Sequence, residues 1–480
     1  MNQKAWHALA VPVCLSLLLA CGGGNSSPPP APVSVSVSPP SADVATNTTQ
    51  QFRATVTGTS NTAVNWSVAG VTGGNATVGT ISSTGLYTAP SSVPSPATVP
   101  VTAAAQADPT KSGAATVTIV KQEINQQAQP FPIELGTTGG NVKDSTTQGN
   151  IITCCSGTLG ALVSRGGPTF QFILSANHVL ARSDQATTGE AISQPGLVDN
   201  NCKPRITVAN LTQAAPLKTS NVDAAIAAVV AGAVDTSGKI LEFGTPNTQP
   251  GAPASTTVTA AINMPVAKSG RSTALTCSSV QSINTTAPVD YHTSCADGTK
   301  FTVTFTNLIM VSGGSFSASG DSGSLIVNSQ TAQPVALLFA GNSTNTVGNP
   351  IQPVLAALKD PVTNAMPMVV GGAQHPIACP AAAAVQASTV AVAEAEVKRA
   401  TDVKTQHEAA LMADPAVIGV GVGASEDSPE EAAVVIYVDK EKAHAPIPAV
   451  IDGVRTKVIV TDRFRATANN TTDASQRDPT

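Results

Sequence analysis

The chain has 480 residues, of which 11% are charged and 3% aromatic, and its formal net charge is −5 at pH 7. A charge this small and negative offers no basic field to nucleic-acid phosphates, which excludes nucleic acid as a partner. Abundant Thr, Ser, Val, Ala and Gly with few charges suit an exported chain of several domains, mainly β rather than long helices.

Residues 1–20 place Lys4 in a short polar start before an apolar run ending Leu15-Ser16-Leu17-Leu18-Leu19-Ala20. The run is too short to cross a bilayer and reads as a signal peptide. Leu18-Leu19-Ala20-Cys21-Gly22 resembles the lipobox of bacterial lipoproteins. That resemblance implies lipidation of Cys21, an N-terminal lipid anchor in a membrane and, with no acidic residue after Cys21, the outer membrane. The alternative is an ordinary secretory signal that contains Cys21, and either one exports the chain. Residues 21–32 run from Gly22-Gly23-Gly24 into Pro28-Pro29-Pro30, cannot bury apolar surface and predict a flexible tether.

Residues 33–120 alternate apolar and polar residues in short runs, as in Val33-Ser34-Val35-Ser36-Val37 and Val64-Asn65-Trp66-Ser67-Val68. Period-two alternation predicts an antiparallel β-sandwich with Trp66 in its core. With Gly85-Leu86-Tyr87-Thr88-Ala89-Pro90, the stretch resembles bacterial immunoglobulin-like domains, which implies a spacer role.

Three motifs carry the chemistry. Phe172-Ile173-Leu174-Ser175-Ala176-Asn177-His178 ends an apolar strand in a histidine, Val222-Asp223-Ala224-Ala225-Ile226 sets a carboxylate in an apolar run, and Gly320-Asp321-Ser322-Gly323 precedes Leu325-Ile326-Val327. A serine hydroxyl needs a base to become nucleophilic, and imidazole serves near neutral pH. A buried carboxylate fixes the imidazole tautomer and stabilises the imidazolium. Glycines at 320 and 323 permit a sharp turn, so the N–H groups of Gly320 and Ser322 can converge on an oxyanion. Asp199, in Gly196-Leu197-Val198-Asp199, is a rival for the acid. Asp223 is preferred because its Ala and Ile neighbours can bury it beside the histidine.

In this order the motifs resemble the chymotrypsin-like (trypsin superfamily) serine endopeptidases over residues 131–365. The resemblance implies a double β-barrel with His178 as general base, Asp223 as orienting acid, Ser322 as nucleophile, and Gly320 and Ser322 as oxyanion donors. It also implies that Pro334–Gly341 is the strand lining the substrate cleft. Lys268-Ser269-Gly270-Arg271-Ser272-Thr273 is similar to a stretch of predicted bacterial trypsin-like proteases. Where trypsin carries the aspartate that binds cationic side chains, this chain has Phe316. Phe316, Ala318, Phe339, Ala340 and Gly341 therefore predict a pocket for an apolar or small side chain. No cofactor is required, and the substrate is a protein or peptide.

Setting aside Cys14 and Cys21, six of the 8 cysteines remain, an even number that suits an oxidising compartment. Cys277 and Cys295 flank a short polar stretch and are the expected pair. Cys154 or Cys155 can reach Cys202, which leaves Cys379 for the other. No Cys or His spacing of the usual zinc-binding kind occurs, so no metal site is expected and His292 reads as a loop residue.

Residues 380–465 predict a helix followed by strands near Val417–Gly423, Ala432–Val438 and Val454–Val460, a small α+β module. Its Gly419-Val420-Gly421-Val422-Gly423 lacks the following helix of a dinucleotide loop and suits close packing or a bulged strand. Residues 466–480 read as a disordered tail. Two functions follow: a membrane-anchored serine endopeptidase, or a catalytically silent protease-like lipoprotein that serves in surface interaction or adhesion.

Overall fold

A computed structural model describes residues 32–46, 49–120, 124–148, 151–244, 250–293, 295, 299–379, 391–466 and 469–473. The signal and lipobox, including Cys21, lie outside the described residues, as do 380–390 and 474–480. The fold is mainly β. Among the described residues, no helix is long and apolar enough to cross a membrane.

The N-terminal unit layers a five-stranded sheet with a four-stranded sheet and a two-stranded ribbon. Its alternating strands turn Phe52, Trp66, Tyr87, Val101 and Val117 inward, so Trp66 is a core residue. The Tyr87 hydroxyl donates to the Val78 carbonyl at 2.7 Å, which satisfies the one polar group that ring buries.

Residues 137–229 close into a first barrel. Its strands are β1 (Thr137–Asn141), β2 (Ser145–Gln148), β3 (Ile151–Leu159), β4 (Ala161–Ser164), β5 (Gln171–Ser175), β6 (Ala191–Gln194), β7 (Ile206–Ala214) and β8 (Ala225–Val229). Pairing runs β3-β1-β6-β7-β8-β5-β4. Because β3 and β4 are one strand interrupted at Gly160, the ring shuts on itself. A short helix, α1 (Asn177–Leu180), leaves β5 directly.

The second barrel uses β9 (Pro265–Gly270), β10 (Ala274–His292), β11 (Lys300–Ser312), β12 (Leu325–Asn328), β13 (Pro334–Gly341) and β14 (Asn345–Pro350). Pairing runs β9-β12-β13-β14-β11-β10 and returns to β9, a closed antiparallel ring. Closure pairs most strand edges within each ring and leaves an edge open where strands run past it, as in the first half of β3 and at the end of β13. The two rings share one apolar core that includes Leu174, Ile226, Phe305, Leu337 and Phe339.

The C-terminal module comprises α2 (Glu394–Leu411), β15 (Val417–Ala424), β16 (Ala432–Asp439), β17 (Val454–Thr461), β18 (Phe464–Arg465) and β19 (Asn469–Asp473). It continues the second barrel's sheet, since β15 pairs with the middle of β10, Ser282 to Thr286. β10 bulges there, and a side chain on Gly421 would meet Thr285 Cβ at 3.0 Å and Ser282 Oγ at 3.2 Å. The glycines of 419–423 are therefore packing residues for a bulged strand. The tail departs from its predicted disorder, because residues 469–473 form β19 on β3.

Disulfides join Cys154–Cys202, Cys155–Cys295 and Cys277–Cys379. The expected Cys277–Cys295 bridge is thus corrected. Cys277 lies near the start of the 19-residue strand β10 and Cys295 beyond its end, so at roughly 3.3 Å per residue the strand holds them far beyond the roughly 7 Å bridging limit. His292 closes this strand rather than lying in a loop. Cys154 and Cys155 are neighbours on β3 and point to opposite faces, which sends one to Cys202 in the first barrel and the other to Cys295 beyond β10. Asp144, Cys155 and Cys295 cluster within 4.8 Å, but both sulfurs belong to the disulfide. The Cys277–Cys379 bridge closes 102 residues, so Cys277→Ala/Cys379→Ala is expected to lose about 3–5 kcal/mol in urea unfolding. A loss below about 1 kcal/mol would show that the bridge adds little to the core.

Candidate active site

His178 is the second residue of α1, placed where β5 ends at Ser175 and the chain turns inward. Asp223 lies two residues before β8, the strand paired with β5 (Ser175 opposite Ala225), so both side chains emerge at the same end of one strand pair. His178 Nδ1 lies 2.7 Å from Asp223 Oδ2. The backbone N–H of His178 donates to Oδ1 at 3.2 Å and the Tyr291 hydroxyl donates to Oδ2 at 2.9 Å. Asp223 is wholly buried and its own N–H donates to Asn349 Oδ1 at 2.8 Å. Burial, with the neighbouring Asp223 carboxylate, pushes the Tyr291 phenol well above its ordinary value, so it remains a donor.

A carboxylate at Nδ1 holds the ring proton there and leaves Nε2 as the acceptor. Nε2 is buried and has no hydrogen-bond partner among the described residues. Asp199, the rival acid, is engaged elsewhere. Arg271 grips it through Nη2 at 2.6 Å and Nε at 2.7 Å, and Thr138 Oγ1 donates to it.

Ser322 stands on a turn between β11 and β12, with Gly320 at φ +99° and Gly323 at φ +96°. These left-handed values suit glycine and make the turn tight. The Gly320 and Ser322 N–H groups have no acceptor among the described residues, whereas those of Asp321 and Gly323 donate to Ala318 and Leu338 carbonyls. The Ser322 hydroxyl donates to the Phe339 carbonyl at 3.2 Å rather than to the imidazole. Strand β3 brings the two barrels' contributions together. Thr158 N–H donates to the Ser322 carbonyl at 2.9 Å, and a side chain on Gly157 would strike both that carbonyl and Val179, the residue after His178.

Asp321 fixes the turn. Its carboxylate accepts from the N–H groups of Ser272 (2.8 Å), Thr273 (3.2 Å) and Ala318 (2.9 Å) and from the Thr273 hydroxyl (2.7 Å). Lys268 Nζ lies 3.6 Å away, and both side chains are fully buried. Burial lowers the Lys268 ammonium from its ordinary value, an effect that the Asp321 and Glu242 carboxylates oppose. In the sequence the only trace of this pairing is a lysine set directly after the apolar run Val266-Ala267.

A cavity of about 430 Å³ opens beside Ser322. Ala318, Ala340 and Gly341 line it, with Ser317, Ser319 and Leu338. Phe316 and Phe339 do not. Phe316 packs in the second barrel's core beneath Lys268, whose Nζ is 5.9 Å from the ring centre, and Phe339 packs edge-on to Phe305 at 5.1 Å. Both were expected in the pocket wall. Alternation along β13 turns Phe339 inward while Leu338 and Ala340 line the opening, and Phe316 packs inward from the turn that follows β11. Asp462, Arg463 and Arg465 of the C-terminal module complete the rim.

No family model and no curated protein matches the chain. Solved structures are similar to just under half of the chain, two of them as follows. One is a glutamic acid-specific serine protease described as using a histidine triad in substrate binding (17% identity, 49% of this chain and 100% of that one, TM-score 0.33). The other is Cellulomonas bogoriensis chymotrypsin (18% identity, 44% of this chain and 90% of that one, TM-score 0.29).

Removing one partner of a buried ion pair leaves the other charge uncompensated, a loss of about 3–5 kcal/mol. Lys268→Met is expected to destabilise by that amount in urea unfolding, and a change under about 1 kcal/mol would show that the backbone donors alone hold Asp321. The mount of α1 titrates separately. Asn141 Nδ2 bonds both the Leu180 carbonyl (2.9 Å) and Glu190 Oε2 (2.8 Å), while Arg182 and Lys143 reach Glu190 Oε1 at 3.0 and 3.2 Å. Burial raises the Glu190 carboxyl, but these hydrogen bonds outweigh it and bring it to about 2. A depressed carboxyl stabilises fully above its unfolded value of 4.5 and loses that contribution as pH falls toward 2. Between pH 4.5 and 2, the urea midpoint of Glu190→Gln is expected to fall less than that of wild type, and parallel curves would contradict the assignment.

Proposed function

We propose that the chain is an exported serine endopeptidase in which Ser322 is the nucleophile, His178 the general base and Asp223 the orienting acid. The observation that carries this reading is the buried Nε2 of His178, unpartnered while Asp223 occupies Nδ1, at the same barrel junction as a serine on a glycine turn. Ser322 turns its hydroxyl from the Phe339 carbonyl to Nε2, which takes the proton as Oγ bonds to the substrate carbonyl carbon. The carbonyl π electrons move to oxygen, and the unpaired N–H groups of Gly320 and Ser322 stabilise the resulting oxyanion by about 3 kcal/mol per donor. Collapse breaks the C–N bond, and the imidazolium gives its proton to the leaving amine. Water then attacks the acyl-enzyme with the same base, releasing the acid and restoring Ser322.

The small residues around the cavity favour an apolar or small substrate side chain, and its described lining has no wall carboxylate apart from Asp462 at the rim. Export is supported by six cysteines paired in three disulfides, which persist in oxidising compartments. Export through the N-terminal signal, anchoring by a lipid on Cys21, placement in the outer membrane and an immunoglobulin-like spacer complete the proposal.

A fluorophosphonate probe is expected to label wild type and not Ser322→Ala. Asp223→Asn, which removes the carboxylate that sets the tautomer, is expected to lower kcat by about 10⁴. Absence of labelling in wild type would favour the catalytically silent surface protein.

A further inference from the structure

The module after the second barrel returns its last strands to the serine. Phe464 and Arg465 of β18 pair in parallel with Val289 and Asp290, and Arg465 pairs antiparallel with Gly341 at the end of β13. The Ala466 N–H donates to the Asp290 carbonyl at 3.0 Å. By Asn469 the chain is on the first barrel, where β19 pairs antiparallel with β3 from Asn469 opposite Ser156 to Asp473 opposite Ile152.

These two edges flank the nucleophile. Gly341 lies two residues beyond Phe339, whose carbonyl accepts the Ser322 hydroxyl. Ser156 lies two residues before Thr158, whose N–H holds the Ser322 carbonyl. An extended peptide presented to Ser322 would add a strand to such edges, with main-chain hydrogen bonds giving affinity. Three residues lie between Arg465 and Asn469, and the four steps from one to the other span at most about 14 Å. Both pairings are antiparallel to their barrel strands, so one chain lies along the two edges.

We infer that residues 464–466 and 469–473 are intramolecular occupants of the substrate-binding edges, a self-inhibitory element that competes with protein substrates. This rests on the reading of Ser322 as nucleophile. Phe464 is fully buried, edge-on to Tyr437 with ring centres 5.6 Å apart, and anchors β18. β19 is held on β3 by strand pairing and is the part that must leave for a substrate to bind across the serine.

In an antiparallel pair, successive N–H groups point to opposite sides, so Asn470→Pro/Thr471→Pro in the full chain deletes at least one bond to β3. A competing strand raises KM and leaves kcat alone. With denatured casein, the double variant is expected to show a KM at least tenfold lower at unchanged kcat, while fluorophosphonate labels both proteins. Equal KM with both proteins labelled overturns the inference and leaves the protease reading standing. Failure of both to label overturns the protease reading and the inference with it. Should the variant not fold, hydrogen exchange on wild type decides. Saturation with a peptidyl phosphonate long enough to cover both edges is expected to abolish protection of amides 469–473, and retained protection overturns the inference.

Discussion

A carboxylate sealed inside the protein organises the whole serine turn. Asp321 is fully buried, faces a lysine that is equally buried, and draws backbone N–H groups from two separate loops onto its oxygens. With its side chain drawn inward, the peptide groups at 320 and 322 are left with N–H vectors that no carbonyl captures. Two glycines with positive φ make this geometry possible without side-chain clash. The turn is therefore preorganised by an ion pair within the fold, and its donors need no rearrangement when a charge forms nearby.

The same logic spans the barrel junction. Thr158 Oγ1 donates to the Gly320 carbonyl and accepts the Arg271 N–H, each at 2.9 Å, while the Arg271 guanidinium reaches across to Asp199. Arg271 and Gly320 belong to the second barrel's loops, and Thr158 and Asp199 to the first. Strand β3 thus carries the hydrogen bonds that set the serine turn against the strand pair holding His178 and Asp223. The Cys155–Cys295 bridge ties that strand covalently to the segment beyond β10.

Much of this was legible because apolar flanks leave a clear trace. Residues Phe172–Leu174 and Ala224–Ile226 announce buried paired strands, so the polar residues at their ends stand out, and the structure places Asp223 rather than Asp199 against His178. The strands near 417, 432 and 454 were equally plain. β10 was not, since Ser278 to Thr286 is rich in Ser and Thr and reads as a loop, and the misplaced disulfide follows from that one error. Phe316 and Phe339 were assigned to the pocket wall from the resemblance to trypsin-like proteases, but the face each side chain takes depends on register and turn geometry, which a resemblance of spacing does not fix. β19 has no apolar periodicity in Asn469-Asn470-Thr471-Thr472-Asp473, and what orders it is a waiting strand edge elsewhere in the fold.

That edge explains why a module with no evident chemistry of its own is joined to this barrel. β10 is long enough to serve two sheets, pairing with β9 and β11 in the ring and with β15 beyond it. Building the module on the middle of β10 fixes where β17 ends. Lys440 pairs with Asp462, and Arg463 bonds Asp290 on β10 at 2.9 Å. The chain is then delivered to Gly341 with little freedom left to lose, so the entropic cost of placing a strand beside the serine is largely met by folding of the module. A tethered strand of this kind needs only weak pairing to compete with a free peptide, because its effective concentration is high. The module's position and the modest, polar character of β19 are thus complementary: anchoring supplies proximity, and weak pairing keeps the edge available.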